Sequence, residues 1–207
     1  MMHFWDQQYA HPGFKYGTTP NQFLVAQRAQ LPATGAILVP GDGEGRNGVW
    51  LAQQGFDVTT VDSSAIGIAK SQALAAERGV AVRTIEADLT TWQPTLAHFD
   101  AIVLLYVHFP PSLRTAIHHT LLHGLRENGL LIIEAFHPTQ LGRPSGGPKD
   151  VSMLYTLEQL RGDLASVPDA TFDEIVAVEQ ETILDEGAGH RGPAYVTRLV
   201  AWKRAVR

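Results

Sequence analysis

The chain contains no cysteine. That excludes disulfides, thiolate metal sites and a cysteine nucleophile, and cysteine usage therefore reports nothing about the redox compartment. Positive charge is also in short supply: 16 Lys and Arg stand against 21 Asp and Glu, a formal net charge of −5. General affinity for nucleic-acid phosphates needs clustered cations, so no nucleic-acid partner is expected. No apolar run approaches the ~20 residues of a membrane span. The start, Met1-Met-His-Phe-Trp-Asp-Gln-Gln-Tyr, lacks the basic and apolar stretches of a secretory leader. These absences predict a cytoplasmic protein with no membrane partner. There is no internal repeat or low-complexity tract, and 207 residues, 44% of them hydrophobic, suffice for one substantial core and one domain, residues 1–207.

What is present is concentrated in Ala36-Ile-Leu-Val-Pro-Gly-Asp-Gly-Glu-Gly-Arg-Asn-Gly-Val-Trp and in Asp57-Val-Thr-Thr-Val-Asp62. A buried strand breaks into glycines, a helix opens near Arg46, and a second strand ends in an acid about 20 residues after the first glycine, the arrangement a nucleoside site requires. Glycines let backbone amides approach a ligand without a Cβ between them, and the helix aims its unpaired N–H groups at it. Asp62 is placed to accept hydrogen bonds from both ribose hydroxyls. Gly43-x-Gly45-x-x-Gly48 also fits the dinucleotide fingerprint, so a nicotinamide-dependent oxidoreductase is an alternative, as is a binding module that holds the nucleoside without chemistry.

Four apolar runs, Ala36 to Val39, Val58 to Val61, Val80 to Ile85 and Ala101 to Val107, alternate with helical stretches at Asn47 to Gln54, Ala65 to Arg78 and Pro111 to Leu125. Ser63 or Ser64 serves as N-cap of the second helix and Gly79 as its stop. A fifth strand, Leu130 to Phe136, follows Asn128-Gly129. Gln22 to Gln30 predicts a short helix after a polar, aromatic N-terminal segment, and Thr156 to Leu164 another. Continuous apolar strands alternating with helices indicate a parallel sheet covered on both faces. Then Phe172 to Leu184 and Ala194 to Lys203, joined by a glycine-rich loop, read as an antiparallel hairpin, which an all-parallel dinucleotide fold does not need. The predicted class is α/β: a doubly wound, mostly parallel, Rossmann-like seven-stranded sheet closed by a C-terminal antiparallel hairpin. Residues 36–136 form the cofactor-binding core, residues 1–30 an aromatic lid or helix segment, and residues 137–207 the substrate side. His137 to Val151 is the one long stretch without an obvious element, and it leaves the rim where open α/β sheets bind ligands.

This order of strands and acids, through Glu86-Ala-Asp88-Leu89 and Phe99-Asp-Ala-Ile-Val-Leu-Leu-Tyr106, resembles the class I S-adenosylmethionine-dependent methyltransferases over the whole chain. Gly43-Glu-Gly-Arg46-Asn47, Trp5…Tyr16-Gly17…Pro20-Asn21…Leu24, Gly146-Gly-Pro-Lys-Asp150 and Asp185-Glu-Gly…His190-Arg-Gly look like the small tellurite-resistance and thiol methyltransferases. The resemblance implies S-adenosylmethionine as cofactor. Gly41, Asp42, Gly43, Glu44 and Gly45, with Arg46 and Asn47, would support its methionine part, Asp62 with Ser63 its ribose, Asp88 and Leu89 its adenine, and Tyr106 would close beneath it. One departure stands out: an acid commonly precedes the first glycine by two residues, and this chain has Val39 there. Asp42 or Glu44 would compensate.

A sulfonium donor carries an activated methyl group, so the protein's task is alignment and exclusion of water; no metal is needed. A neutral acceptor must also lose a proton, for which histidine is suited near neutral pH. His108, His137 and His190 fall where strands should end on the cofactor side. His190 does so if Phe172 to Leu184 runs parallel to the first strands. The resemblance adds that His190-Arg191 and Arg198 match acceptor-side positions of tellurite-type relatives, where arginine suits an oxyanion or carboxylate. Tyr16, followed by Gly17, is the lid candidate. His119 and His123, beside His118, have the i, i+4 spacing of helical metal ligands but no Glu next to the first, and read as a solvated helix face. The predicted function is methyl transfer to a small molecule, such as a thiol or a chalcogen oxyanion, by a monomer or homodimer.

Overall fold

The computed structural model describes residues 4–206; residues 1–3 and 207, including the first residues of the N-terminal segment, lie outside the described part. Helices α1 (Phe4–Tyr9) and α2 (Gln22–Ala26) precede an alternation of β1 (Ala36–Pro40), α3 (Arg46–Gln53), β2 (Asp57–Asp62), α4 (Ala65–Glu77), β3 (Arg83–Glu86), β4 (Phe99–Leu105), α5 (Pro111–His123) and β5 (Leu125–Phe136). Then come α6 (Leu157–Ala165), β6 (Ala170–Glu186) and β7 (His190–Ala205). The seven strands lie in the order β3-β2-β1-β4-β5-β7-β6. The first five are parallel, and β7 runs antiparallel to both β5 and β6. Two reversals return β6 to the direction of β1, which brings the β6–β7 turn to the rim where β1, β2 and β4 end.

Alternation along each strand divides the core between the two faces of the sheet. Leu38, Ile102, Leu104, Leu131, Ile133 and Leu199 face α5 and α6, while Ile37, Val39, Ala101, Val103, Ile132 and Val200 face α2 and α3. Local chemistry sets the helix ends. Ser64 rather than Ser63 is the N-cap of α4, its Oγ accepting from Gly67 N at 3.0 Å. Thr156 and Gln159 form a reciprocal capping box at the start of α6.

Three boundaries differ from the sequence pattern, each for a backbone reason. β3 begins at Arg83 rather than Val80, because Val80 N bonds Ala75 O at 3.0 Å and closes α4. β5 begins at Leu125, and Asn128-Gly129 forms an irregularity within it, not the end of a helix. Phe99 pairs with Leu125, Ala101 pairs with Leu130, and Asn128 takes φ +59°. The expected nine-residue hairpin loop shrinks to residues 187–189, because Glu186 pairs directly with His190.

The stretch 137–151 contains one 3₁₀ turn (Pro138–Gln140), runs into a second (Val151–Met153) and has its own polar core. Buried Gln140 donates to Ser145 Oγ (2.9 Å) and accepts from Tyr195 N (2.8 Å), and Ser145 donates to Pro193 O (2.6 Å). It is thereby fastened to β7.

Of the α5 histidines expected on a solvated face, His123 is exposed and His119 half-buried, while His118 beside them faces inward. His118 is buried and meets Asp163 Oδ2 at 2.8 Å, and His119 meets Ser166 Oγ at 2.8 Å. Burial pushes the Asp163 carboxyl up, but hydrogen bonds from His118, Arg114 and Thr115 outweigh it and hold the carboxyl well below its ordinary range. This cluster ties α5 to α6.

Candidate functional site

The glycine bend leaves β1 with Gly41, Gly43 and Gly45 at φ +66°, +59° and +90°, a left-handed region open to glycine and strained for other residues. It is locked to the end of β2, for Gly43 N donates to Asp62 Oδ2 (2.8 Å) and Ser64 N to Asp62 Oδ1 (2.9 Å). A carboxylate offers about four lone-pair positions, so these two bonds alone do not saturate Asp62. Ser63 follows it on the rim. Asp88 stands two residues beyond β3, where its Oδ1 accepts from Thr90 N at 2.8 Å, and Leu89 packs against the core.

The two acids inside the bend face the protein. Glu44 is buried, with Oε2 accepting from Lys15 N and Oε1 from Lys70 Nζ, both at 2.7 Å. Asp42 turns behind the bend, its Oδ2 accepting from Gly48 N at 3.0 Å, while its buried Oδ1 has no hydrogen bond among the described residues. Burial, opposed by the Gly48 bond and aided by the charge of Asp62, pushes its pKa up to about 7.

The sign of the pH effect follows from that shift. The folded state holds the Asp42 proton to a higher pH than the unfolded chain, so stability falls between pH ~4 and ~7 and is flat above, by at most about 4 kcal/mol. Subtracting the stability profile of Asp42→Asn from that of the wild type is expected to show this decline. A difference that does not vary with pH would mean that the carboxyl is not buried as described.

The N-terminal segment closes over the bend. Asp6 Oδ1 accepts from Ser64 Oγ at 2.6 Å, Lys70 Nζ donates to the carbonyls of His11 (2.9 Å) and Gly13 (2.5 Å), and a Cβ on Gly43 would meet Tyr9 Oη. Further along, the Tyr16 backbone lies against Gly187, where a Cβ would stand 2.5 Å from Tyr16 C, and Gly189 N donates to Lys15 O at 3.1 Å. The N-terminal segment thus rests on the β6–β7 turn.

Four rings converge beside the bend. The ring centroid of His190 lies 4.4 Å from that of Tyr16, 4.5 Å from Tyr106 and 5.2 Å from Phe136, and Tyr106 stacks on Phe136 at 4.6 Å. Tyr106 reaches this position by adopting φ +57° just past β4, a conformation that costs a bulky residue about 1–3 kcal/mol and that clusters at functional sites. Among the described residues its buried hydroxyl and His190 Nδ1 make no direct hydrogen bond, with the Glu134 carboxylate acting on the first and Glu186 Oε2 standing 3.6 Å from the second. Burial, with the charges of Glu134 and Glu186, keeps the Tyr106 phenol protonated far above its ordinary range. Burial also lowers the His190 pKa, against the opposing pull of Glu186, so the ring is neutral near pH 7.

The predicted acceptor residues are not all gathered here. His108 is a brace: Nδ1 meets Met153 O at 2.7 Å, Nε2 accepts from Phe136 N at 3.2 Å, and burial lowers its pKa to about 4. With both nitrogens committed to the backbone, it is not placed to serve as a base. His137 caps a 3₁₀ turn through Nδ1, which accepts from Thr139 N at 3.1 Å. Arg191 is exposed, because neighbours in a strand point to opposite faces, so the expected His190-Arg191 pair is split. Arg198 is held by Glu134 at 2.7 Å.

Absent from the sequence reading is the polar network beneath the cluster. Asn21 Nδ2 donates to Glu134 Oε2 (2.5 Å) and Glu186 Oε1 (3.0 Å), Arg46 Nη2 donates to Glu186 Oε2 (2.7 Å), and Asn47 Oδ1 accepts from Asn21 N (2.9 Å). Burial raises the Glu134 pKa. Burial also acts upward on Glu186, but His190 and Arg46 bring it below its ordinary value. The single detectable signal was Glu134 itself, a charge inside Leu130-Leu-Ile-Ile-Glu-Ala-Phe. Among the described residues no group of three or more His, Asp or Glu is arranged to hold a metal ion, and no helix is long and apolar enough to cross a membrane.

A family model described as a methyltransferase domain matches residues 37–129, from β1 into β5. The structure reported for the conversion of a disulfide bond into a thioacetal group during echinomycin biosynthesis superposes with a TM-score of 0.74 at 19% identity, over 99% of this chain and 93% of that one. TehB from Haemophilus influenzae gives 0.70 at 19%, over 97% and 66%. Magnesium protoporphyrin IX methyltransferase from Synechocystis PCC 6803, with bound SAH, gives 0.64 at 21%, over 89% and 79%. No curated protein is matched by sequence. At these identities the likeness to solved structures is one of fold. The matched stretch, residues 37–129, is a methyltransferase domain by that description, and the fold of the chain is one found in S-adenosylmethionine-dependent methyltransferases.

Proposed function

We propose that the chain acts as one domain that methylates a small-molecule acceptor, a thiol, a chalcogen oxyanion or a similar metabolite, between the glycine bend and the Tyr16–Tyr106–Phe136–His190 cluster. The observation that carries this reading is the convergence of the Tyr16, Tyr106, Phe136 and His190 rings on one place beside the glycine bend, with the buried Tyr106 hydroxyl making no direct hydrogen bond among the described residues, since buried polar groups without partners are rare in folded proteins. In this reading Gly41 to Gly45 and Asp62 hold the donor, Asp88 and Leu89 border its base, and Tyr16 closes the lid. When bound, S-adenosylmethionine supplies a methyl group already activated for displacement. Aromatic walls exclude water and align the acceptor, and neutral His190 takes the proton of an acceptor that must lose one.

Labelled S-adenosylmethionine offered with a panel of thiols, phenols and oxyanions tests the activity, and a parallel titration with NAD tests the oxidoreductase alternative. His190→Ala is expected to reduce transfer to a phenol or alcohol by about 10²–10⁴-fold and to leave transfer to an acidic thiol, already a thiolate, nearly unchanged. Equal rates for variant and wild type with every acceptor would remove the base role. Tight donor binding with no transfer to any acceptor would leave a binding module.

A further inference from the structure

The strongest unused feature of the site is Glu186, a carboxylate at the end of β6 that is 4% exposed and surrounded by donors. Arg46, the first residue of α3 and so part of the helix end that follows the glycine bend, bonds its Oε2 at 2.7 Å, and Asn21 bonds Oε1 at 3.0 Å. Across the tight hairpin turn, Oε2 stands 3.6 Å from His190 Nδ1, which has no hydrogen bond to another group. The opposite edge of the imidazole faces Gly146, where a Cβ would lie 3.2 Å from Nε2 and 2.6 Å from Cδ2. The Gly146 backbone borders that edge and a side chain there would close it, whereas Nε2, unlike Nδ1, is not among the fully buried unbonded atoms.

We infer that Glu186 is the positioning residue of the acceptor base: held by Arg46 and Asn21, it keeps the His190 proton on Nδ1 and presents Nε2 as the bare acceptor. A histidine tautomer is set by the hydrogen bond made at its other nitrogen. The separation of 3.6 Å is that of a contact which shortens when the site is filled, as catalytic hydrogen bonds commonly do. As the acceptor atom bonds to the methyl carbon, the carbon–sulfur pair returns to the donor sulfur and the acceptor proton moves to Nε2. The positive charge on the ring is then matched by Glu186 until the proton passes to solvent. Because Arg46 belongs to α3 and Asn21 to the lid segment, the same carboxylate links donor loop, lid and base. The inference rests on His190 being the base.

Other groups around the ring are Lys15 and Tyr16 from the N-terminal segment, Tyr106 and His108 after β4 and Arg46 on α3, with Glu134 on β5 reached through Asn21; Glu186 is the carboxylate held below its ordinary value. Loss of the Glu186 charge therefore removes the main influence that raises the His190 pKa. Glu186→Gln is expected to lower kcat for a phenol acceptor by 10- to 100-fold, to move the acidic limb of its pH–rate profile to lower pH, and to change KM for S-adenosylmethionine less than threefold. Transfer to an acidic thiol stays near the wild-type rate.

Unchanged kcat and pH profile in Glu186→Gln, with His190→Ala inactive toward the phenol, overturns the positioning role and leaves His190 as base. Full activity of His190→Ala overturns the base assignment itself. A measurement on the wild-type protein does not depend on how the variants fold: ¹⁵N shifts of the His190 ring are expected to show Nδ1 protonated and Nε2 bare, and the reverse tautomer overturns the inference.

Discussion

Gly45→Ala is expected to weaken S-adenosylmethionine binding by at least about thirtyfold and up to about twenty-thousandfold. Two costs combine at this position. Its φ of +90° is strained for alanine by about 1–3 kcal/mol, and the new Cβ would stand 2.2 Å from Ser71 Oγ and 2.7 Å from Ser71 Cα. Rotation moves a hydroxyl, but Cα belongs to the backbone of α4 and cannot yield without shifting the helix, so overpacking adds about 1–3 kcal/mol. The loop can escape only by changing the course of residues 41–45 and the start of α3, which this site needs in register with Asp62. At about 1.4 kcal/mol per tenfold change, the sum corresponds to the stated range. Gly55→Ala is the control: φ is +91° with nothing within 4 Å of the added Cβ, so it costs stability and spares affinity. Calorimetric titration of both variants checks the prediction, and unchanged affinity in Gly45→Ala would separate the bend from donor binding.

Glu134→Ala is expected to destabilise the fold by about 3–5 kcal/mol, the cost of removing one partner from a buried ion pair. Its carboxylate is 1% exposed and holds Arg198 Nε at 2.7 Å and Asn21 Nδ2 at 2.5 Å. Truncation leaves the Arg198 guanidinium over the Phe23 ring, at 4.8 Å, without its anion, and releases the hold of β5 on Asn21. Denaturant unfolding should show a lower midpoint at unchanged slope. A loss below about 1 kcal/mol would mean that water reaches this network and that it does not organise the site.

How much was legible depended on the range of the interaction. β1, α3, β2 and α4 could be placed from contiguous residues, because apolar runs, glycines and caps act within a few positions. Asn128-Gly129 misled for the same reason: a local stop signal served a bulge whose cause is the register of β5 on β4. Val80, apolar and strand-like, is drawn instead into the closure of α4. Asn21, Glu134 and Glu186 could not be grouped beforehand, since 113 and 165 residues separate the hydrogen-bonded atoms. Nor does chain position reveal that His108 spends both nitrogens on backbone groups or that Arg191 points away from His190.

By itself the sequence determined the α/β class, the glycine bend, the acid after it and the closing hairpin, all of which follow from local periodicity and from the steric freedom of glycine. Only the tertiary structure decided which histidine stands among the rings, which acids are consumed inside the protein and how the N-terminal segment meets the β6–β7 turn. Those outcomes depend on which distant segments share a buried space, where every charge needs a partner and each partner is supplied by a different part of the chain.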